Sequence, residues 1–219
     1  METLLKEKKK RRDYQNNYPS VTTVLSVLRA RGLEEWFKRT PYDEILKQSA
    51  RGKAIGTEIH SVIQSYIETG EAKIDTKYPE EVTNALKSFM KFRKDYPQIK
   101  LQRSEMALTS ENYRFNGTID CTADNGEILI ADWKTGQAKD KESPAIYDEY
   151  KIQVSAYVYL HNETHEEKVN KAIIISVAKD KIGYEFYEMD MVEISDYFNE
   201  VFLPALKIYN YQRKEKQNA

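Results

Sequence analysis

The sequence predicts an α/β or α+β fold in which helices flank a central mixed β-sheet. Residues 50–69 and the stretch that begins at Pro79 carry apolar residues at helical spacing, as helices packed on a sheet do. Residues 113–123 and 127–135 are rich in β-branched and aromatic residues, and 171–178 is an uninterrupted apolar run typical of a buried strand. With 219 residues, 40% of them hydrophobic, the chain can bury a sizeable core.

Charge and cysteine content limit the classes of function. The net charge is −1, so any contact with nucleic acid must come from locally concentrated positive charge. The basic run 6–12 is either solvated or holds a phosphate backbone, and we predict a flexible arm over 1–17 followed by one domain over 18–214. Cys121 is the only cysteine, which excludes an intramolecular disulfide and any four-cysteine iron–sulfur cluster from this chain alone. No apolar run approaches the length of a membrane span, so we expect no membrane partner.

The N-terminal half is predicted to be helical. Ser20 is a plausible N-cap for a first helix that Gly32 ends, and a second short helix follows. A longer helix over 50–69 ends at Gly70. His60 lies at the edge of its apolar stripe, where a histidine is more often a core or rim residue than a metal ligand.

Basic residues stand near the start of this longer helix. Arg51 and Lys53 are candidate phosphate contacts, because the dipole of a helix favours anions at its N-terminus. The next helix runs from Pro79 to Tyr96, and we interpret it as structural. Residues 101–109 are predicted to form a strand. It precedes a β-hairpin that we predict from the strand-like stretches 113–123 and 127–135 and the turn residues between them.

The hairpin carries acidic residues whose register decides whether they meet. With a two-residue turn, Asp132 would face away from Asp120. With a three-residue loop over 124–126, Asp120 opposes Ile130, and Asp120, Asp132 and Lys134 share one face. The two carboxylates are then diagonal neighbours roughly 7–8 Å apart, a gap that a shared cation can bridge. Hard oxygen ligands without a nearby cysteine or histidine pair favour Mg²⁺ or Mn²⁺ over zinc.

Lys134 would project beside such a metal, where its ammonium could orient a water molecule or stabilise charge on a phosphate. An Asp-x-Lys pair alone is more often a solvated strand face, since so short a pattern is common by chance. The fuller set, Gly117-x-x-Asp120 followed by Asp132-x-Lys134 on the next strand, resembles the PD-(D/E)XK nuclease superfamily. In that family such carboxylates bind metal and the lysine assists hydrolysis.

Further motifs are similar to those of RecB-like exonucleases of the mitochondrial genome-maintenance and phage types. These exonucleases have a Pro-Ser-Val-Thr opening, a glycine-rich helix with a histidine, a glutamate on the strand before Gly-x-x-Asp, and a later Gln-x-x-x-Tyr. The matching residues, in chain order, are 19–22, Gly52, Gly56, His60, Glu105, Gln153 and Tyr157. From the residues alone, Glu105 is equally an exposed strand glutamate, Gln153 a surface residue and Tyr157 a core residue.

The resemblance implies a metal site of one or two Mg²⁺ ions. Asp120, Asp132 and the backbone carbonyl of Trp133 would hold the metal. His60 would be a further ligand, and Glu105 would lie at or near the site. Relatives that carry an iron–sulfur cluster use four cysteines, which this chain lacks, so no such cluster is expected.

The resemblance also implies how a strand is held for attack. Lys134 would position the attacking water or serve as its base. Gln153 and Tyr157, four residues apart on one helix face, would hold the strand.

These expectations favour a Mg²⁺-dependent DNA exonuclease that acts on single strands or DNA ends in recombination, repair or replication. A helicase, recombinase or single-strand-binding protein is a candidate protein partner. Acidic residues near the N-terminus argue against a mitochondrial transit peptide and favour the cytoplasm of a bacterial or phage-infected cell. The competing hypotheses are a catalytically inactive nucleic-acid-binding module that keeps the nuclease fold, and a structural protein whose hairpin is merely acidic.

Overall fold

The computed structural model describes residues 18–28, 36–71, 75, 77–139 and 141–218. The predicted arm over 1–17 lies outside the described residues. No described helix is both long enough and apolar enough to cross a membrane. The helices are α1 (Val21–Leu25), α2 (Tyr42–Thr69), α3 (Glu80–Asp95), α4 (Asp148–Thr164), α5 (Met191–Asp196) and α6 (Leu203–Asn218). The strands are β1 (Lys100–Ser110), β2 (Phe115–Asp124), β3 (Ile128–Gly136), β4 (Ala172–Ala178) and β5 (Tyr184–Met189).

One five-stranded sheet, in the order β1-β2-β3-β4-β5, forms the centre of the fold. β3 and β4 pair in parallel and the other neighbours are antiparallel. The parallel step needs a crossover connection, which α4 supplies. α2 and α3 cover one face of the sheet, and α1, α4, α5 and α6 cover the other. The prediction of a mixed sheet flanked by helices is confirmed.

β3 contributes to both cores because its side chains alternate between the two faces. Leu129, Ala131 and Trp133 pack toward α2 and α3, whereas Ile130 packs toward α4. The Trp133 ring meets Phe89 and Phe92 of α3 in edge-on contacts, with ring centroids 5.2 Å and 6.0 Å apart. Asp132 therefore lies on the α4 face, between two residues anchored in the opposite core. β4 is buried along its whole length, as the apolar run predicted.

Helix α2 begins earlier than predicted, at Tyr42 rather than residue 50. Tyr42, Ile45 and Leu46 stand at helical spacing in its first turns, but these turns are largely exposed and burial begins only at Ile55. Gly70 ends the helix as predicted, with φ +77° and its N–H donating to the Tyr66 carbonyl. Arg51 and Lys53 therefore lie in the helix interior. The dipole argument for their anion contacts is wrong, because that effect fades within the first turn.

The hairpin has a three-residue loop, but one position later than predicted. Paired residues run from Cys121 opposite Ala131 to Asp124 opposite Ile128, so the loop is 125–127. The Asp124 carboxylate accepts the Gly126 N–H at 2.7 Å, and this side-chain contact closes the turn. Asp120 and Asp132 share a face as predicted. Extending the observed register by one pair beyond Cys121 and Ala131 places Asp120 directly opposite Asp132. The predicted pairing of Asp120 with Ile130 is therefore wrong.

The C-terminal helix is not split at Pro204. A π-helical turn over Tyr197–Phe202 joins α5 directly to α6, and Pro204 follows it. Proline lacks the N–H and its ring clashes with the carbonyl four residues earlier, so a wider turn before it relieves both problems. Phe198 and Phe202 of this turn are buried against Phe115 of β2.

Candidate active site

Asp132 is a fully buried carboxylate, and neither of its oxygens accepts a hydrogen bond from a described group. The Lys134 ammonium lies 2.6 Å from Asp132 Oδ2, so the two form an ion pair, but the contact lacks the alignment of a hydrogen bond. Burial raises the pKa of Asp132; Lys134 opposes this shift and Asp120 adds to it. A fully buried carboxylate with one ammonium beside it still carries a desolvation cost. Its open oxygens fit a cation.

Three further side chains converge beside it. One ligand atom from each of His60, Glu105 and Asp120 lies within 4.8 Å of the others, the one such group among the described residues. His60 Nδ1 is 3.6 Å from Asp120 Oδ2, and that oxygen also accepts the Trp133 N–H at 3.0 Å. The structure thus brings together His60 and Asp120, which were predicted to bind metal, with Glu105, which was predicted to lie at or near the site; Asp132 is not part of this group of three but lies opposite Asp120 in the continued register of the hairpin. For Trp133 it shows the amide contact to Asp120.

Strand β2 changes faces at Asp120. Ile119 packs in the core on the α4 side, whereas Cys121 packs in the core under α2 and α3, although the two are only two residues apart. Regular alternation would put both on one face. The irregularity turns Asp120 toward the cluster. Burial raises the pKa of the Cys121 thiol to about 12, which makes it an inert packing residue.

Glu105 adopts a left-handed backbone conformation, with φ +52°. Its neighbours Ser104 and Met106 pair with Cys121 and Ile119, which leaves Glu105 opposite Asp120. A non-glycine residue in this region is strained, and such strain clusters at functional sites. The strained backbone conformation of Glu105 thus places its carboxylate close to His60 and Asp120.

Replacing Glu105 by glycine is expected to stabilise the metal-free protein by about 1 kcal/mol and to weaken metal binding, because glycine tolerates φ > 0. Glu105→Gln keeps the strained backbone, so it should weaken metal binding without stabilising the metal-free protein. Denaturant unfolding in EDTA and calorimetric titration with Mg²⁺ or Mn²⁺ separate the two effects. A glycine variant less stable than the glutamine variant would contradict the strain.

Lys134 begins a chain of hydrogen bonds to α4. Its ammonium donates to Gln153 Oε1 at 3.1 Å, and Gln153 Nε2 donates to the Tyr157 hydroxyl at 2.7 Å. Gln153 and Tyr157 thus share a helix face as predicted, and that face meets β3. Burial, followed by the charges of Asp132 and Asp120, raises the pKa of Tyr157, so its hydroxyl stays protonated.

Gly117 leaves room for the Tyr157 ring. A Cβ at Gly117 would lie 2.8 Å from Tyr157 Cε1 and 3.2 Å from Leu160 Cδ1 and Val21 Cγ2. The glycine of the Gly-x-x-Asp motif is therefore needed for close packing of α4 on β2. It positions Tyr157 at the site.

Gly117→Ala is expected to destabilise the protein by about 1–3 kcal/mol, because the added methyl overpacks this contact. The displaced Tyr157 should also lower any hydrolytic activity. Gly52→Ala is the matched stability control: no atom lies within 4 Å of its Cβ position, and alanine favours a helix by about 1 kcal/mol. Opposite shifts in the midpoint of thermal unfolding are expected, and equal shifts would show that crowding at Gly117 is unimportant.

The sequence analysis missed Tyr150. Its ring centroid lies 5.3 Å from Lys134 Nζ, and burial raises the pKa of Tyr150 to about 12. The Tyr147 ring meets the Tyr150 ring edge-on, with ring centroids 5.4 Å apart. A signal was present, because Tyr150 precedes Gln153 and Tyr157 by three and seven residues and so lies on their helix face.

Arg51 and Lys53 lie in two different recesses beside α2. Arg51 lines a groove with Thr135 and Tyr150 and forms a short ion pair with Glu81 of α3. Lys53 lines a second recess together with His60 and Glu105. Lys53 therefore lies beside the acidic cluster and Arg51 in the neighbouring groove, and neither stands at a helix terminus.

The sequence matches one protein-family model over most of its length. Residues 27–216 match the model described as the PD-(D/E)XK nuclease superfamily. No individually curated protein matches the sequence significantly.

Several solved structures are similar at low identity. A phage-related exonuclease from Haemophilus somnus 129PT is 14% identical, covering 72% of this chain and 82% of its own, with a TM-score of 0.41. The alkaline exonuclease LHK-Exo of Laribacter hongkongensis, in complex with dAMP, is 11% identical over 92% and 95%, with a TM-score of 0.39. Another solved structure is matched over only 60% of its own length. The family model alone covers enough of the sequence to decide membership: the chain belongs to the PD-(D/E)XK nuclease superfamily.

Proposed function

We propose that the protein is a Mg²⁺-dependent DNA exonuclease of the RecB-like group that acts on single strands or DNA ends. The observation that carries this is Asp132, whose carboxylate is fully buried near the His60, Glu105 and Asp120 cluster and forms an ion pair with Lys134. Membership of the nuclease superfamily supports hydrolysis of a phosphodiester bond.

The donor set fits a hard divalent cation. His60, Glu105, Asp120 and Asp132 would hold it, and carboxylate oxygens outnumber the single imidazole, which favours Mg²⁺ or Mn²⁺. A divalent ion bound there would polarise a phosphate oxygen and lower the pKa of a water molecule.

The remaining side chains orient the reactants. Lys134 places a positive charge beside Asp132, where it would hold the attacking water or balance charge on the phosphate. Gln153 accepts a hydrogen bond from the lysine ammonium and donates one to the Tyr157 hydroxyl, and both side chains offer polar groups to a phosphate. The Tyr157 hydroxyl, kept protonated by burial, acts as a donor.

The alternative is a nucleic-acid-binding module that keeps the fold without catalysis. Against it stands the contact between Asp132 and Lys134, since a module that only binds has no need of a costly buried carboxylate. We further propose that the protein works in the cytoplasm of a bacterial or phage-infected cell, alongside a helicase, a recombinase or a single-strand-binding protein.

A nuclease assay on end-labelled linear single strands, linear duplexes and circular single strands tests the proposal. Each substrate is incubated with Mg²⁺, Mn²⁺ or EDTA. We expect metal-dependent loss of the linear substrates while the circle, which has no ends, stays intact. Cutting of the circle would show an endonuclease, and binding without cutting under any metal would favour the non-catalytic module.

A further inference from the structure

A groove of about 700 Å³ runs along α2 beside the site. One wall is the stretch of α2 that includes Gln48, Arg51 and Gly52, whose spacing puts them on one helix stripe. The facing wall is the stretch 135–139, which comprises the end of β3 and the residues after it, together with Tyr147 and Tyr150. We name this space the basic groove. His60 belongs to a different stripe of α2, so the helix separates the groove from the recess that holds His60 and Glu105.

Positive charge is concentrated in the basic groove. Arg51, Lys139 and Lys179 line it, against the single carboxylate of Glu81. The chain as a whole has a net charge of −1, so this excess is local. Arg51 is paired with Glu81, so the lining keeps a net charge of about +2, which attracts a polyanion such as a phosphate backbone.

The wall that carries Lys139 is held in place before any ligand arrives. The Asp180 carboxylate accepts the N–H groups of Ala138 and Lys139 at 2.9 Å and 2.8 Å. The Lys181 ammonium donates to the carbonyl oxygens of Lys139 and Lys141. A preorganised wall loses little conformational entropy when it binds a ligand.

Tyr147 offers an exposed aromatic face in the groove, with 56% of its surface accessible. Behind it stands Tyr150, and the Lys134 ammonium lies over the Tyr150 ring. The exposed ring is therefore one aromatic residue away from the lysine of the site. An unpaired base can stack on such a ring, whereas a base inside a duplex is covered on both faces by its neighbours.

Gly52 adds room on the opposite wall. Nothing lies within 4 Å of the position that its Cβ would occupy, so packing within the protein does not require a glycine there. Glycine is disfavoured in a helix interior, and its presence leaves a smooth helix surface that a sugar–phosphate backbone can approach closely.

We propose that the basic groove binds an unpaired nucleic-acid strand, with one base stacked on Tyr147 and its phosphates near Arg51, Lys139 and Lys179. This deepens the proposed function by naming the strand that reaches the site, and it makes Tyr147 a determinant of selectivity for single strands over duplexes.

Fluorescence anisotropy in EDTA, where no cleavage occurs, tests the inference with a labelled single-stranded oligonucleotide and its blunt duplex. Tyr147→Ala is expected to weaken single-strand binding about 5- to 150-fold, the effect of losing one base–aromatic stack. Duplex affinity should change less than about twofold. Tyr147→Trp should restore single-strand binding, and Tyr211→Ala, which removes another exposed tyrosine from α6, should not alter it.

A second readout reports the stack itself. An oligonucleotide with 2-aminopurine should be quenched by the wild-type protein and much less by Tyr147→Ala. Unchanged single-strand affinity, or an equal loss on the duplex, overturns the role of Tyr147 even if the wild type degrades DNA. If the wild type binds the single strand through Tyr147 yet cuts nothing with Mg²⁺ or Mn²⁺, the inference stands and the nuclease proposal fails.

Discussion

Asp132→Asn is expected to abolish metal-dependent cleavage without lowering the free energy of unfolding. The amide gives up the ion pair with Lys134, but burial raises the pKa of the Asp132 carboxyl in spite of that pair, so removing the buried charge offsets the loss. The bound metal would be lost or misplaced, and several kcal/mol of charge stabilisation correspond to at least about a thousandfold in rate. Initial cleavage rates in Mg²⁺ and denaturant unfolding in EDTA measure the two quantities.

Glu163→Gln is the matched contrast for this prediction. The Glu163 carboxylate lies on α4 away from the cluster and accepts hydrogen bonds from the Ser110 hydroxyl and from the N–H groups of Glu111 and Asn112. Its replacement should cost about 1–3 kcal/mol of stability and leave cleavage unchanged. An Asp132→Asn protein that still cleaves, or that unfolds as readily as Glu163→Gln, would contradict the assignment of Asp132.

Lys134→Met is expected to lower the cleavage rate by at least about a hundredfold, the usual contribution of a positioned acid–base or charge-stabilising group. Methionine keeps much of the packing against Tyr150 but removes the ammonium that contacts Asp132 and Gln153. Binding of oligonucleotides should change only a few-fold. Single-turnover cleavage and anisotropy on the same preparation separate the chemical step from binding.

Lys151→Met controls for the loss of a half-buried lysine. Lys151 and Lys134 are equally exposed, at 15% of each side chain, and each lies over a tyrosine ring and beside a carboxylate. Lys151, however, pairs with Glu193 of α5, outside the site. We expect Lys151→Met to lower the melting temperature and to spare cleavage. Equal losses of activity in both variants would reduce Lys134 to a structural residue.

The common face of Asp120 and Asp132 was predictable because strand side chains alternate, so every three-residue loop near this turn gives the same parity. The position of the loop along the chain was not predictable. Asp124 belongs to the strand because its carboxylate closes the turn by accepting the Gly126 N–H, and a sequence pattern does not distinguish this from a loop aspartate.

The features missed from the sequence depend on contacts between distant segments. Nothing in 101–109 indicated the left-handed conformation of Glu105, because glutamate is not a residue type that favours a positive φ. The early start of α2 was missed although Tyr42, Ile45 and Leu46 stand at helical spacing, since these turns face solvent and lie outside the buried stripe that begins at Ile55. The roles of Arg51 and Lys53 as DNA contacts stay predictions.

Trp133 joins the two faces of the sheet through a single residue. Its ring packs among Phe89 and Phe92 of α3, while its amide hydrogen holds the Asp120 carboxylate on the side of the cluster. A change in aromatic packing that rotates this strand would therefore alter the separation of Asp120 and Asp132. The affinity of the proposed metal site would then depend on packing beneath the sheet, and we expect substitutions at Phe89 or Phe92 chosen for thermal stability alone to shift the metal concentration that half-fills the site.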